Sequence, residues 1–247
     1  MRFKFVIGFV VLLCLGTARH AAALEDGELT GPFRPSFEGK GGESVNMVVY
    51  VNGVNTNDES AESVARSLAE RLQRPTYLLF NDLTLPVVDW FSTLVEKLGD
   101  ADTSINASTE ILDGLIVREL DAGREITLIG HSAGALVINN AVRSIAERYS
   151  ALPADARAQR LARIHVVCMG GAVFGDENVF ADGWPDGLGS LYDVRDERDG
   201  VANVWGSGCC WNWFDCEVDE DYHAAIRYVD YLDRAMLTQS GAMIVGS

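Results

Sequence analysis

The sequence predicts an α/β protein: a three-layer αβα sandwich around a mostly parallel sheet. Three observations point there. Short apolar, β-branched runs such as VNMVVYV and RIHVVCMG alternate with longer stretches of helical periodicity. Those runs are apolar at successive positions rather than alternately polar, as strands covered on both sides are. No long polar linker divides the chain after its N-terminal region, so its 247 residues form one unit able to bury a large core.

The elements follow in order. Residues 24–44 are rich in Gly, Glu and Pro and read as an exposed arm. Residues 45–51 form the first strand, ending in an Asn-Gly turn signal. Asp58 stands where it can cap the helix SAESVARSLAERLQ, whose Val64, Leu68 and Leu72 recur on one face. Pro75 stops that helix, and TYLLF (76–80) is the second strand. Helices are expected over VVDWFSTLVEKLG and from Ser104 to Leu120. Residues 125–129 make a third strand, 133–149 the helix after it, and ALPADARAQR a linker or short helical turn. Strands are expected again at 163–170 and, more weakly, at 190–196. A tryptophan-rich loop runs over 203–214, and a last helix goes from near Asp219 to about Leu237. The folded domain thus covers 45–238, followed by a flexible tail at 239–247.

The first 23 residues read as a removable leader rather than part of the core. Arg2 and Lys4 precede the apolar run FVIGFVVLLCLG, and Ala21-Ala22-Ala23 closes the segment. That is the pattern of a secretory signal peptide. The apolar run falls short of the ~20 residues a membrane span needs, so no stable span is expected once the leader is gone. The location implied is periplasmic or secreted. Removing 1–23, which carries Arg2, Lys4 and Arg19 but no acid, takes the formal charge from −16 to −19. So acidic a chain repels nucleic acid at long range, and no basic cluster offsets this. Four cysteines remain. Cys168 sits in an apolar run and faces the core, whereas Cys209, Cys210 and Cys216 crowd one segment. A bridge from Cys216 to Cys209 or Cys210 is expected in an oxidising compartment; adjacent cysteines rarely bond to each other.

Residues 126–135 read ITLIGHSAGA, a strand-like run, a serine between glycines, then a helix. A sharp strand-to-helix turn lifts its middle residue above the sheet's carboxyl edge, and Gly130 and Gly134 relieve the crowding. The helix that begins after Ser132 points free N–H groups at the same place. Ser132 is therefore a candidate nucleophile, with the N–H of Ala133 as an oxyanion donor. The second donor is expected from the first strand's loop, VNGVNTN, at Val54 or Asn55.

A serine needs a base and the base a carboxylate. Of four histidines, His20 lies in the leader, His131 is aimed away by the turn, and His165 alternates within a strand. His223, at the start of the last helix, remains. In DVRDERDGV the carboxylate is expected at Asp199, in the turn before Val201, with Asp196 as second choice. Oligomeric state and acyl preference leave no mark in the sequence.

With these segments in order, the chain resembles the α/β-hydrolase superfamily, chiefly its lipase and esterase members. GHSAG is similar to the nucleophile elbow, LYDVRDERDGVANV to the strand and turn carrying the acid, DYHAAIRYVDYL to the histidine segment, and VYVNGVNTN to the oxyanion loop by position. The resemblance covers roughly 45–238; with five strands counted, it implies a trimmed version of the fold. It implies hydrolysis of a small-molecule or lipid carboxylic ester through an acyl-enzyme on Ser132, with no metal or organic cofactor. Trp184, Trp205, Trp211 and Trp213 fall in the loops that can border such a site. Two alternatives accompany this expectation: another serine acyl enzyme (thioesterase, acyltransferase or peptidase), or a non-enzymatic binding protein that retains the fold.

Overall fold

The computed structural model describes residues 23–36, 46–82, 107–170, 184–196, 224–232 and 244–246. Seven strands form one sheet: β1 (Leu29–Phe33), β2 (Met47–Val51), β3 (Thr76–Leu79), β4 (Ile126–His131), β5 (Ile164–Met169), β6 (Ser190–Asp196) and β7 (Ile244–Gly246). The helices are α1 (Asp58–Leu72), α2 (Ala107–Asp121), α3 (Ala133–Arg148), α4 (Ala154–Leu161) and α5 (Ala225–Val229), with a 3-10 turn at Tyr149–Ala151.

The strand order is β1-β3-β2-β4-β5-β6-β7. Every neighbouring pair is parallel except β1 with β3. The sheet is apolar on both faces because successive side chains of each strand point to opposite sides. Val49 and Val51 of β2 pack with Leu128 of β4 and Val166 of β5 against α2 and α3. Val48 and Tyr50, with Ile129 and Val167, pack against α1 and α5. The three layers of the expected αβα sandwich are therefore present.

Both ends of the sheet differ from expectation. The stretch 24–44 contains a strand, since β1 pairs with β3 at Leu29–Leu79 and Thr30–Leu78, and Phe33 is buried. Its Gly-Pro content marks an edge strand, where a missing N–H faces no partner. The stretch 239–247 contains β7, which adds three residues alongside β6. Such a short edge strand carries too little pattern to be read as one. The helix expected over 87–99 lies outside the described residues, and of the helix expected from Asp219 to Leu237 only α5 is described. Asp58 is the first residue of α1 rather than its cap; Asn57 caps it, accepting from Ser60 N at 2.8 Å.

Candidate functional site

The site is built where β2 and β4, adjacent parallel strands, end at the same edge. At β4 the chain must turn from strand into helix within one residue. Ser132 makes that turn with φ 51° and ψ −122°, outside the regions open to L-residues without strain. Its N–H donates to Met169 O at 3.1 Å, and its carbonyl accepts from Ala135 N at 3.1 Å. Both ends of the strained residue are thus held by backbone. The side chain is nearly closed off, with Ser132 at 9% exposure.

Three glycines let three backbones converge there. A Cβ on Gly130 would lie 2.6 Å from Ala135 N, and one on Gly134 2.2 Å from Val51 O. A Cβ on Gly53 would lie 3.0 Å from Ser132 Cβ. The loop Gly53-Val54 therefore stands directly against the elbow, as its sequence position predicted. Asn52 and Asn81 hold this loop. Asn52 Nδ2 donates to Asn81 O at 2.9 Å, and Asn81 N donates to Asn52 Oδ1 at 2.9 Å. Both are buried, so this exchange continues the β2–β3 ladder past the strands. Neither asparagine was singled out in the sequence, where each reads as a turn residue.

Helix α3 begins immediately after Ser132 and runs for 16 residues with no side-chain cap at its start. Its first N–H groups have no partner within the helix and carry the positive end of its dipole. The notch between Gly53-Val54 and Ser132-Ala133 thus pairs a buried hydroxyl with uncapped backbone donors.

The remaining candidates fall out differently. Asp199 and His223 lie outside the described residues; Asp196 is the last residue of β6. Of the expected group, the structure brings together Ser132, Ala133 and the Val54 loop. His131 is buried beneath the turn, its ring centroid 6.0 Å from that of Tyr228 of α5. It does not reach the first helix, the place suggested by sequence. His165 is a packing residue, as expected: Nδ1 lies 2.9 Å from Ser190 Oγ, and burial lowers its pKa. Tyr50, two residues before Asn52, is fully buried with its hydroxyl unpartnered, which pushes the phenol far above its ordinary range. Cys168 is buried and free. Among the described residues there is no disulfide, contrary to the oxidised loop expected; Cys209, Cys210 and Cys216 lie outside them. Among the described residues, too, no helix is long and apolar enough to cross a membrane.

Residues 73–159, little more than a third of the chain, match the family described as PE-PPE domain. The segment runs from the end of α1 into α4 and includes the elbow. It is matched as that domain and not as a serine hydrolase, which corrects the functional expectation. The reading as a carboxylic ester hydrolase with a Ser-His-Asp triad is withdrawn. With it go the serine-esterase and lipase-like descriptions, the other serine acyl enzymes, and the small-molecule or lipid ester substrate. The elbow's form misled because the same turn is read from letters that specify backbone shape before they specify chemistry. The match agrees with a location outside the cytoplasm.

A comparison with curated proteins finds no match. One solved structure that matches is a dienelactone hydrolase-like promiscuous phosphotriesterase from metagenomic libraries. It is 14% identical, with 88% of this chain and 72% of that one covered and a TM-score of 0.36. So distant a likeness says nothing of activity. By its own strand order and two helical layers, the chain has a trimmed α/β-hydrolase-type fold.

Proposed function

We propose that the chain is a non-catalytic binding module that uses the notch at Ser132 to hold a small ligand by an acceptor oxygen, carbonyl or carboxylate. One observation carries the reading: Ser132 is kept at φ 51° and ψ −122° at the uncapped start of a 16-residue helix. Strain of this kind costs about 1–3 kcal/mol and is retained where the surroundings over-determine it. The N–H of Ala133 and the hydroxyl of Ser132 are the donors, with the Val54 loop as the opposite wall.

His223 and Asp199, with Asp196 as second choice, are assigned as polar neighbours of the notch. Two facts favour this. β6 ends at Asp196 on the same parallel edge, and α5 begins two residues after His223 and packs its Tyr228 near His131. The acidic surface slows the approach of anions, so the donors must act at contact range. The leader pattern at 1–23 favours a periplasmic or secreted location.

Titration of labelled protein with butyrate and butyramide tests the reading. The amide resonances of Ala133, Gly134 and Val54 are expected to move, and those of α2 are not. Ala133→Pro removes one donor at the helix position where proline is best tolerated, and abolishes the shift at Val54. Ser132→Ala weakens binding by up to about tenfold, the worth of one hydrogen bond. Shifts absent at this edge, or unchanged in both variants, would overturn the proposal.

A further inference from the structure

Three features of the first described residues converge on one bond. The tripeptide Ala21-Ala22-Ala23 puts the small-residue cleavage signal directly before Leu24. Leu24 N donates to Asp58 Oδ2 at 2.9 Å across 34 residues of sequence. The Leu24 side chain packs against the core cluster on the α1 and α5 face.

The residues that follow pin this position. Gly27 N donates to Phe80 O, and Phe80 N to Glu28 O, each at 2.9 Å. Asp26 Oδ1 accepts from Ser108 Oγ at 2.7 Å and from Asp82 N at 3.2 Å. Ala23 is exposed, whereas Leu24 is half-buried. The ordered protein therefore begins at the residue that the leader pattern makes the first.

We propose that hydrolysis of the Ala23–Leu24 peptide bond by an exported-protein leader peptidase creates an α-ammonium that pairs with Asp58 and locks the N-terminus to α1. Water adds across the bond. The carboxylate leaves with Ala23, the nitrogen stays on Leu24, and it takes up protons to become –NH3+. In the uncut chain the same nitrogen is a neutral amide with one proton to donate. After cleavage it is a cation with three, facing a carboxylate at hydrogen-bond distance. Bonds of this charge-assisted kind are roughly twice as strong as neutral ones. The positive end of α1 disfavours a nearby cation, and the first-turn carboxylates Asp58 and Glu59 offset it. Processing thus does more than remove a leader: it completes a contact that the precursor cannot make.

The proposal rests on the leader reading and is independent of the ligand notch. Its test starts with export of the full chain and sequencing of the mature N-terminus, expected to begin at Leu24. Two forms are then melted, one starting at Leu24 and one carrying a single glycine in front of it, each with and without Asp58→Asn. The Leu24 form is expected to melt about 2–4 °C above the extended form. That gap should close in Asp58→Asn, which keeps an acceptor oxygen and loses the charge. A mature chain beginning elsewhere overturns the proposal, as does the absence of a gap or a gap that survives Asp58→Asn.

Discussion

Gly134→Ala is the sharpest test of how α3 seats on the sheet. A Cβ at this position lies 2.2 Å from Val51 O, 2.7 Å from Asn52 O and 2.8 Å from Val51 C. All three are backbone atoms at the end of β2, a strand held between β3 and β4. No side-chain rotation can relieve the overlap. Ordinary contact begins near 3.4 Å, so α3 must withdraw by about 1 Å or β2 must bend. Overpacking against a fixed neighbour costs about 3 kcal/mol, whereas alanine gains about 1 kcal/mol over glycine within a helix. The net loss is about 2 kcal/mol, a fall in Tm of about 4–8 °C for a chain of this size. Gly114 in α2 supplies the control, since a Cβ there meets nothing within 4 Å. Gly114→Ala keeps the helical gain alone and is expected to raise Tm by about 2–4 °C. Thermal melts followed by circular dichroism read both. If the two variants rise together, helix propensity alone decides and α3 does not rest on the β2 carbonyls.

Two further outcomes follow from particular residues. Ser132→Gly releases about 1–3 kcal/mol of backbone strain against about 0.5–1 kcal/mol of added unfolded-chain entropy, so it should stabilise the protein by about 1 kcal/mol in urea titration while weakening the ligand; a destabilised glycine variant would show that the turn is not strained. Glu119, buried at the end of α2, is held below the usual carboxylate range by its hydrogen bonds to Arg124, with Arg118 adding to the effect and burial opposing it. A lowered folded pKa gives stability that is present above the unfolded value of about 4.3 and is lost as pH falls through the folded one. Glu119→Gln is expected to lose about 2 kcal/mol at neutral pH and to flatten the acid limb of the urea-midpoint profile; an unchanged limb would refute the pairing.

The central sheet was legible because its strands are continuous apolar runs and nothing else in the chain has that texture. The expected 190–196 strand is β6 to the residue, and 76–80 and 163–170 miss β3 and β5 by one residue at an end. The edges were illegible for the opposite reason. β1 is LTGPF, a composition that suits an edge because its proline leaves no donor unmet, yet it reads as a loop. At the site, the glycines announced the turn and the VNG loop announced its neighbour. What the letters could not carry was which polar residues hold the loop. Asn52 and Asn81 are 29 residues apart and join only because β2 and β3 run side by side. Nor could they separate a turn that presents a serine from a reaction that uses it, and there the inference from motif to chemistry went too far.

The division of labour at the notch follows from its backbone angles. Among the described residues, non-glycine positions with positive φ are Asn55, Gln73 and Ser132. Gln73 ends α1 in the ordinary left-handed cap, and asparagine tolerates positive φ in a turn. Ser132, with ψ −122°, belongs to neither class. The close approaches are made by Gly53, Gly130 and Gly134, and a fourth glycine at 132 would make the same turn with less strain. The serine is therefore not what the fold requires at that point. Its side chain stands at the sheet edge, against the Gly53 loop and the first donors of α3, so the strain is the cost of having a hydroxyl there. A molecule that keeps it must use that hydroxyl, or the wall its Cβ makes, in contact with something outside the chain.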